Sequence, residues 1–355
     1  MKSKFFSPKL NQLQAYVPGE QPQDRSYVKL NTNESPFPPS PYAQRLARQA
    51  AGSLNLYCDP DCGVLASVAA EYFGVEKDNM IFTNGSDEVL NFAFLAFCDQ
   101  KTPAVFPDVT YGFYSVFAKV NGVPCRKIPL DKGLRIRVAD YFNARGTIFI
   151  ANPNAPTGIA LAPSEIRSIL ENNKDNIVVV DEAYVDFGGD SVLPLINRYS
   201  NLLVTRTFSK SYSLAGARLG IGFASKKIIA DLKRIKYSTN PYNVNSMTAA
   251  AGVGALLDKE YFEKNVNTIC FNRDYLMASL DQLGFKVLPS STNFVFAKKW
   301  GISGKDLYIS LKRKGVLVRY FNHRRLVNYV RITVGTGEQI DALLEAIRKT
   351  LEEKL

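Results

Sequence analysis

The chain has 355 residues, of which 46% are hydrophobic and 22% are charged. This length suffices for about two domains, and this balance is typical of an ordinary globular protein. The sequence has no run of about 18 apolar residues and its N-terminus lacks the features of a signal peptide, so we expect no membrane span and a cytoplasmic location. The net charge of +11 is dispersed and falls in no nucleic-acid-binding motif, which favours small anions over nucleic acid as partners.

Cysteine and histidine usage narrows the possible chemistry. The five cysteines are scattered along the chain, which predicts free thiols in a reducing compartment rather than disulfides or a metal site. The one histidine, His323, precedes two arginines, so a Ser–His–Asp or Cys–His catalytic pair is disfavoured. We therefore expect any general base to be a lysine.

In chain order, residues 1–42 come first and are rich in Pro, Asn and Gln. We expect them to pack as an arm that joins the smaller domain rather than to fold alone. Short β-branched or aromatic runs then alternate with helical patterns, which predicts strands covered on both faces, as in a mostly parallel sheet. The predicted strands are 80–83, 104–107, 147–151, 176–181, 202–206 and 219–223.

Helix-start signals separate these strands. Ser86 is placed to cap a helix that has two acidic residues in its first turn, and Pro163 opens another helix. This alternation predicts an α/β fold with helices on both faces of the sheet, in a large domain over residues 43–242. Shorter strand patterns mixed with three helical ones predict a smaller α+β domain over residues 243–355.

Enzymes of α/β type place their sites at the carboxyl ends of the strands, where this sequence carries polar residues. The N–H groups of Gly85, Ser86 and Asp87 could bind an anion, although taken alone this motif favours a capped helix with a turn glycine. Asp181 ends a buried run, where a carboxylate requires a partner such as a protonated ring nitrogen, unless the strand end is solvated. Tyr184 could place its hydroxyl in the same crevice.

Lys210 follows the strand 202–206. A lysine desolvated at a strand end has a lowered pKa and can attack aldehydes, whereas the alternative is an ordinary surface lysine. Ser209 and Arg218 would supply two anion ligands in the same loop, and the charge of Arg218 would lower the pKa of the amine further.

Three further side chains complete a candidate ligand site. Tyr111 could stack on a planar ligand, although a core aromatic is the alternative. Arg319 and Arg331 lie in apolar strands, where an arginine usually has an anionic partner. An aldehyde-binding lysine, a phosphate site, a cation-holding aspartate, a stacking ring and anion-binding arginines are together what pyridoxal 5'-phosphate with an anionic substrate requires.

Over nearly its whole length the chain resembles the class I and II aminotransferases of the aspartate-aminotransferase fold, and within them the histidinol-phosphate aminotransferases. The segments RTFSKSYSLAGARLG and VVVDEAYVDF are the most specific part of the resemblance. The other matching segments, in the family's order, are LNTNESPFPP, LYCDPDCGVL, TNGSDEVL, VTYGFYSV, NPNAPTG, STNPYNVN, STNFVF, VLVRYF and VRITVGT.

The resemblance implies roles for the matching positions. Lys210 would hold pyridoxal 5'-phosphate as a Schiff base and shuttle the proton, Asp181 would keep the ring nitrogen protonated, and Tyr184 would hydrogen-bond the phenolic oxygen O3'. The other implied cofactor ligands are Gly85, Ser86, Asp87, Tyr111, Asn154, Thr207, Ser209 and Arg218. The implied substrate residues are Asn33, Tyr16, Tyr57, Arg319 and Arg331. Of these, Tyr57 and Tyr16 would reach the neighbouring site of a homodimer.

One position departs from the family pattern. Where the family has an asparagine directly before Pro-Thr-Gly that donates to O3', this chain has Ala155, preceded by Asn154. Either Asn154 supplies that hydrogen bond or Tyr184 does so alone. Asn154→Ala would move the visible titration of the cofactor only if Asn154 is the replacement.

Three functions stay open on the sequence. The first is reversible transfer of an amino group from a small phosphorylated or carboxylated amine to 2-oxoglutarate, which becomes glutamate. The amine would be histidinol phosphate or an aromatic amino acid. The second is decarboxylation of threonine phosphate, because the reaction depends on which Cα bond stands perpendicular to the ring. The third is a basic anion-binding protein that keeps the fold without the chemistry.

Overall fold

The computed structural model describes residues 3–11, 13 and 15–353. Its strands are β1 (Val28–Lys29), β2 (Met80–Asn84), β3 (Ala104–Pro107), β4 (Cys125–Ile128), β5 (Thr147–Ala151), β6 (Val178–Asp181), β7 (Leu202–Thr207), β8 (Leu219–Ala224), β9 (Phe285–Val287), β10 (Phe294–Lys299), β11 (Val316–Leu317), β12 (Arg319–Tyr320) and β13 (Tyr329–Thr333). Its α-helices are α1 (Pro41–Ala50), α2 (Gly63–Phe73), α3 (Ser86–Phe97), α4 (Phe113–Asn121), α5 (Pro163–Glu171), α6 (Lys226–Thr239), α7 (Ser246–Leu257), α8 (Lys259–Gln282), α9 (Gly304–Arg313) and α10 (Gly337–Glu352).

Seven strands form the central sheet of the large domain, in the order β2-β8-β7-β6-β5-β3-β4. The neighbours from β4 to β7 pair in parallel, whereas β8 runs antiparallel to both β2 and β7. The middle strands β5 and β6 are buried along their whole length, as strands are when both faces of the sheet are covered. The prediction of an α/β fold with a mostly parallel sheet is confirmed.

Alternate residues of the middle strands enter two hydrophobic cores, one on each face of the sheet. Val178 and Val180 of β6 pack in a core that includes residues of α1, α2, α5 and α7. Val179 packs in another core, with residues of α3, α4 and α6. The same two-residue period decides which polar side chains at the strand ends face each side of the sheet.

A second, four-stranded antiparallel sheet has the order β12-β13-β10-β9 and packs with α8, α9 and α10. The N-terminal arm joins this part of the chain, because β1 pairs in parallel with β11 and Leu30 lies in the same core. In the described ranges, none of the helices combines the length and the apolar character that crossing a bilayer requires.

Helix α7 differs from the expected division of the chain. The sequence places residues 243–257 in the small domain, but Ala251 and Leu256 of α7 are buried in the large-domain core. The small residues of α7 allow close approach to α1: a Cβ atom on Gly254 would lie 2.5 Å from the Cα atom of Ala43. Backbone proximity therefore places α7 in the large domain.

Gly254→Ala should destabilise the protein, because its methyl group would overlap the α1 backbone, and overpacking of this kind costs about 1–3 kcal/mol. Urea denaturation measures the loss. Gly337→Ala is the matched control, since Gly337 is also helical and nothing lies within 4 Å of its Cβ position. Equal stability of the two variants would contradict the close packing of α1 and α7.

Candidate active site

A cavity opens at the carboxyl ends of β6 and β7. Its lining comes from the ends of several strands and from the first turn of α3, as expected for an α/β sheet. The predicted site residues that line it are Ser86, Asp87, Tyr111, Asp181, Tyr184, Thr207, Ser209, Lys210 and Arg218.

A second, larger cavity adjoins the first. Its lining includes four predicted substrate residues, Tyr16, Asn33, Arg319 and Arg331. The residues common to the two cavities are Tyr111, Ala155, Tyr184 and Lys210. The amine of Lys210 therefore lies where a group held in one cavity would meet a group held in the other.

The side chain of Lys210 is half-buried at the junction. Its Nζ donates a hydrogen bond to the carbonyl oxygen of Thr32 at 3.3 Å. Burial, followed by the charge of Arg331, lowers the pKa of Lys210 to about 8. Near neutral pH, more of this amine is therefore unprotonated than of an exposed lysine, and the unprotonated form is the one that attacks an aldehyde.

The carboxylate of Asp181 is buried and its donors are neutral groups. Oδ1 accepts hydrogen bonds from Thr205 Oγ1 and the Ala183 N–H, each at 3.2 Å, and Oδ2 accepts one from the Tyr114 hydroxyl at 3.2 Å. Burial, followed by the charge of Asp87, raises the pKa of Asp181 to about 6. A cation beside this carboxylate would be stabilised strongly, because little water screens it.

The sequence patterns single out neither of the two side-chain donors to Asp181. Thr205 alternates with Thr207 along β7, so the two-residue period of a strand places both on the cavity side and could have identified it. Tyr114 lies 67 residues before Asp181 in the chain and carries no comparable local signal.

The hydroxyl of Tyr184 is oriented by Asn33. Its oxygen accepts a hydrogen bond from Asn33 Nδ2 at 2.9 Å, which leaves the hydroxyl proton available to another acceptor. Asn33 itself has a left-handed backbone with φ of 55°. Thr333 Oγ1 and Asn293 Nδ2 hold that backbone through bonds of 2.9 and 3.1 Å, so the small domain positions Asn33.

The loop before α3 forms a small cradle beside Arg218. Gly85, not Ser86, is the N-cap residue, because the turn needs a positive φ of 80° and Ser86 is already helical. The expected capping role of Ser86 is therefore wrong. A Cβ atom on Gly220 would lie 2.3 Å from the Ser86 nitrogen, and Arg218 Nη1 donates to Ser209 Oγ at 3.3 Å. Helix N–H groups and a guanidinium thus converge on one small space.

The carboxylate of Asp87 links two walls of the first cavity. It accepts a hydrogen bond from the Tyr111 hydroxyl at 2.7 Å and forms an ion pair with Arg218 Nη2 at 3.5 Å. The sequence assigns Asp87 a backbone role, whereas in the structure its side chain also holds the Tyr111 ring and the Arg218 guanidinium in place.

The two predicted substrate arginines have different surroundings. Arg331 donates from Nη2 to the Asn31 carbonyl oxygen at 3.2 Å, and its buried Nε has no hydrogen-bond partner among the described residues. Arg319 donates from both Nη atoms to the arm, to Val17 O at 2.8 Å and Pro18 O at 2.9 Å. Arg331 therefore has a donor left for a ligand, whereas Arg319 holds the arm against the small domain.

The two tyrosines expected to reach a neighbouring site lie in different places. Tyr16 packs on Phe113, with ring centroids 4.3 Å apart, and lines the cavity of its own chain. Tyr57 is 85% exposed and stacks on Tyr242 at 4.6 Å. Within one chain, the structure brings Tyr16 into the site and leaves Tyr57 on the surface.

Asn154 does not face either of these two cavities. Its Nδ2 donates to Val109 O at 3.1 Å and to Thr157 Oγ1 at 3.0 Å, and its Oδ1 accepts from Thr110 Oγ1 at 2.8 Å. Both amide protons are therefore committed to holding the surrounding loops. Ala155 lines the cavities instead, so the structure does not support Asn154 as the replacement donor.

Known proteins are similar to this chain over nearly its whole length. The sequence model of the family described as "Aminotransferase class I and II" matches residues 25–347. A histidinol-phosphate aminotransferase of Brachyspira hyodysenteriae is 45% identical over 98% of this chain and 99% of its own length. Histidinol-phosphate aminotransferase 1 of Bradyrhizobium diazoefficiens is 46% identical over 98% of this chain and 100% of its own length. One similar solved structure is the crystal structure of the Sinorhizobium meliloti histidinol-phosphate aminotransferase in complex with pyridoxal-5'-phosphate. The match covers 100% of this chain and 99% of that chain, with a TM-score of 0.90 and 22% sequence identity, which shows a common fold.

Lys210 should react with an amine-directed acylating reagent at lower pH than exposed lysines, in protein from which bound ligands have been removed. Only the unprotonated amine reacts, so labelling should fall as the pH drops below about 8 and level off above it. Competitive labelling with peptide mass spectrometry gives the midpoint. Arg331→Gln should raise that midpoint by removing a nearby positive charge, and an unchanged midpoint would contradict the electrostatic account.

Proposed function

Because the chain belongs to the class I and II aminotransferases, we propose that it transfers an amino group between histidinol phosphate and 2-oxoglutarate, giving imidazole-acetol phosphate and glutamate in histidine biosynthesis. The observation that carries the proposal is a buried nucleophilic amine, Lys210, beside an arginine with an uncommitted donor. The identities of 45% and 46% with two enzymes of this name, over nearly full length, support the choice of substrate.

The first cavity fits pyridoxal 5'-phosphate, the cofactor of this family. Its cradle has the helix N-terminus and the Arg218 charge that a phosphate needs, and a Cβ atom on Gly85 would lie 2.4 Å from Arg218 Nη2 and so intrude on the cradle. Lys210 offers an amine to the aldehyde, and Asp181 offers a carboxylate to the ring nitrogen. When bound, the cofactor supplies an electron sink for the charge that develops at the substrate's Cα.

Lys210 and Asp181 then have complementary tasks. The Nζ atom of Lys210 would accept the proton from the substrate's Cα and deliver it to the C4' carbon of the cofactor, and a pKa of about 8 would suit transfer in both directions near neutral pH. Asp181 keeps a proton on the ring nitrogen by its negative charge. The neutral donors Tyr114 and Thr205 hold the carboxylate in one orientation for this task.

Tyr184 is the donor to the phenolic oxygen O3' in this proposal. Asn33 occupies one lone pair of the Tyr184 hydroxyl oxygen, so the hydroxyl proton can point at O3'. Asn154 is committed to other partners, which leaves Tyr184 to act without an amide donor from that loop.

Arg331 is the anion-binding residue for the substrates. Its buried guanidinium would gain a charge-assisted partner for Nε from the phosphate of histidinol phosphate or a carboxylate of glutamate. Burial lowers the pKa of Arg331 from its ordinary value, and a bound anion would offset that cost of desolvation. Arg319 contributes by holding the arm, and with it Tyr16, over the substrate cavity.

We also propose that the protein is a cytoplasmic homodimer. Four apolar side chains close together in the chain are more than half exposed: Leu54 at 54%, Leu56 at 66%, Tyr57 at 85% and Val64 at 74%. Exposed apolar groups in such a cluster are typical of an interface between subunits. In a homodimer, Tyr57 of each chain would reach the active site of the other chain. The five cysteines are all free, as a reducing compartment maintains them.

The purified protein, loaded with cofactor, should transfer the amino group of histidinol phosphate to 2-oxoglutarate in preference to aromatic amino acids. Lys210→Ala should reduce the rate by at least about a thousandfold and remove the visible absorbance, whereas the exposed-lysine control Lys132→Ala should retain both. Release of carbon dioxide from threonine phosphate without a keto-acid acceptor would contradict amino transfer. A colourless protein that cannot be reconstituted would favour an anion-binding protein without chemistry.

Mixed dimers test whether Tyr57 serves the partner's site. The Lys210→Ala and Tyr57→Ala variants should each be weakly active alone. An equal mixture of the two should recover about one quarter of the wild-type rate once the subunits have exchanged at random. In each mixed dimer, one site combines an intact Lys210 with an intact Tyr57 from the other chain. No recovery, after mass analysis has shown subunit exchange, would rule out a shared site.

A further inference from the structure

The proposed chemistry leaves unexplained a buried charge network at the carboxyl ends of β6 and β7. Glu182 has no exposed side-chain surface and accepts a hydrogen bond from Arg206 Nε at 3.0 Å. Arg206 Nη1 donates to Asp186 Oδ1 at 3.3 Å. The other oxygen of Asp186 accepts a hydrogen bond from Ser211 Oγ at 2.6 Å. We call these four residues the Arg206 network.

The two-residue period of the strands places this network on the opposite face of the sheet from the first cavity. Asp181 and Thr205 bond to each other on the cavity side at 3.2 Å. Glu182 and Arg206, one residue later on each strand, face the other way. There the guanidinium of Arg206 lies 5.5 Å from the ring centre of Phe73, which packs against the core that contains α1, α2, α5 and α7.

Three members of the network each lie within two residues of a side chain that the proposed function uses. The pairs are Glu182 with Asp181, Asp186 with Tyr184, and Ser211 with Lys210. Short stretches of backbone therefore connect the network to the carboxylate, the hydroxyl and the amine of the site. The fourth member, Arg206, lies on β7 and pairs with both Glu182 and Asp186, so it connects β7 to the segment that follows β6.

Stability alone is a weak reason for such a network. Buried ion pairs contribute little net stability, because desolvation offsets the attraction, and apolar residues of the same volume often serve as well. What a buried, directional network supplies is a fixed geometry. Ser211 is the informative member, because its hydroxyl is neutral and its one network bond reaches across from the Lys210 loop to the segment after Tyr184.

We propose that the Arg206 network is a positioning device for the reaction, in which the bond between Ser211 and Asp186 fixes the Lys210 loop relative to Tyr184 and Asp181. None of the four residues lines the first cavity, so each acts through its neighbours. The inference rests on the proposed function only in requiring a cofactor bound to Lys210. It does not depend on which amine is the substrate.

The test uses cofactor-loaded Ser211→Ala and Asp186→Ala. Each should lower kcat about tenfold with KM changed less than about twofold, since small misplacements of a reacting group have effects of this size or larger. The visible circular dichroism of the bound cofactor should weaken in both variants, because its surroundings are less fixed. The double variant should lose no more activity than the single ones, because both remove the same contact.

Two controls separate positioning from general loosening. Ser213→Ala removes a hydroxyl from the same turn, but its partner is Ser35 at 2.8 Å rather than the network, so it should keep wild-type kcat and dichroism. Asp186→Asn retains groups able to bond both Arg206 and Ser211, so it should recover most of the rate lost in Asp186→Ala.

A wild-type kcat in Ser211→Ala, losses that add in the double variant, or an equal loss in Ser213→Ala would overturn the inference. The dichroism is measured without any amine and is therefore independent of the proposed substrate, whereas wild-type turnover of histidinol phosphate reports separately on the function. Melting temperatures of all variants establish that each is folded, and Ser211→Ala, which leaves every charge of the network paired, stays informative if Asp186→Ala does not fold.

Discussion

The proposed chemistry depends on an amine and a carboxylate that are buried near the ends of neighbouring strands. Removal from water disfavours both charged forms, which lowers the pKa of Lys210 to about 8 and raises that of Asp181 to about 6. An amine in this state reacts with an aldehyde, and a carboxylate in this state gains from a nearby cation. One cofactor satisfies both, since it carries an aldehyde and a basic ring nitrogen.

The sheet makes this burial possible. Two hydrophobic cores cover its faces, and the same alternation that sends Val178 and Val179 to different cores sends Asp181 and Glu182 to different sides. One side of the strand ends therefore carries the cavity and the other carries the proposed positioning network. The small domain adds the substrate side, by holding Asn33 and by presenting Arg331 to the second cavity.

Local patterns in the sequence were sufficient for much of the fold and for several residues that line the first cavity. The six strands predicted for the central sheet lie within two residues of their predicted bounds, whereas its edge strand β4 was not predicted. Lys210, Asp181, Tyr184 and Arg218 meet in one cavity, because strand ends and loops carry local signals. Contacts between distant segments were not predictable in this way. The bonds of Arg319 to the arm span about 300 residues, and the packing of α7 depends on backbone proximity to α1. The hydrogen bonds of Asn154 to its three partners were also not predictable from local patterns.

The central claim is that the amine of Lys210 forms the covalent bond to the cofactor. Borohydride reduction of the cofactor-loaded protein, followed by peptide mapping, tests this directly, because reduction converts the carbon–nitrogen double bond into a stable single bond. The account predicts one pyridoxyl group per chain, on the peptide that contains Lys210. A modification on another lysine, or none at all on a protein that has taken up the cofactor, would contradict it.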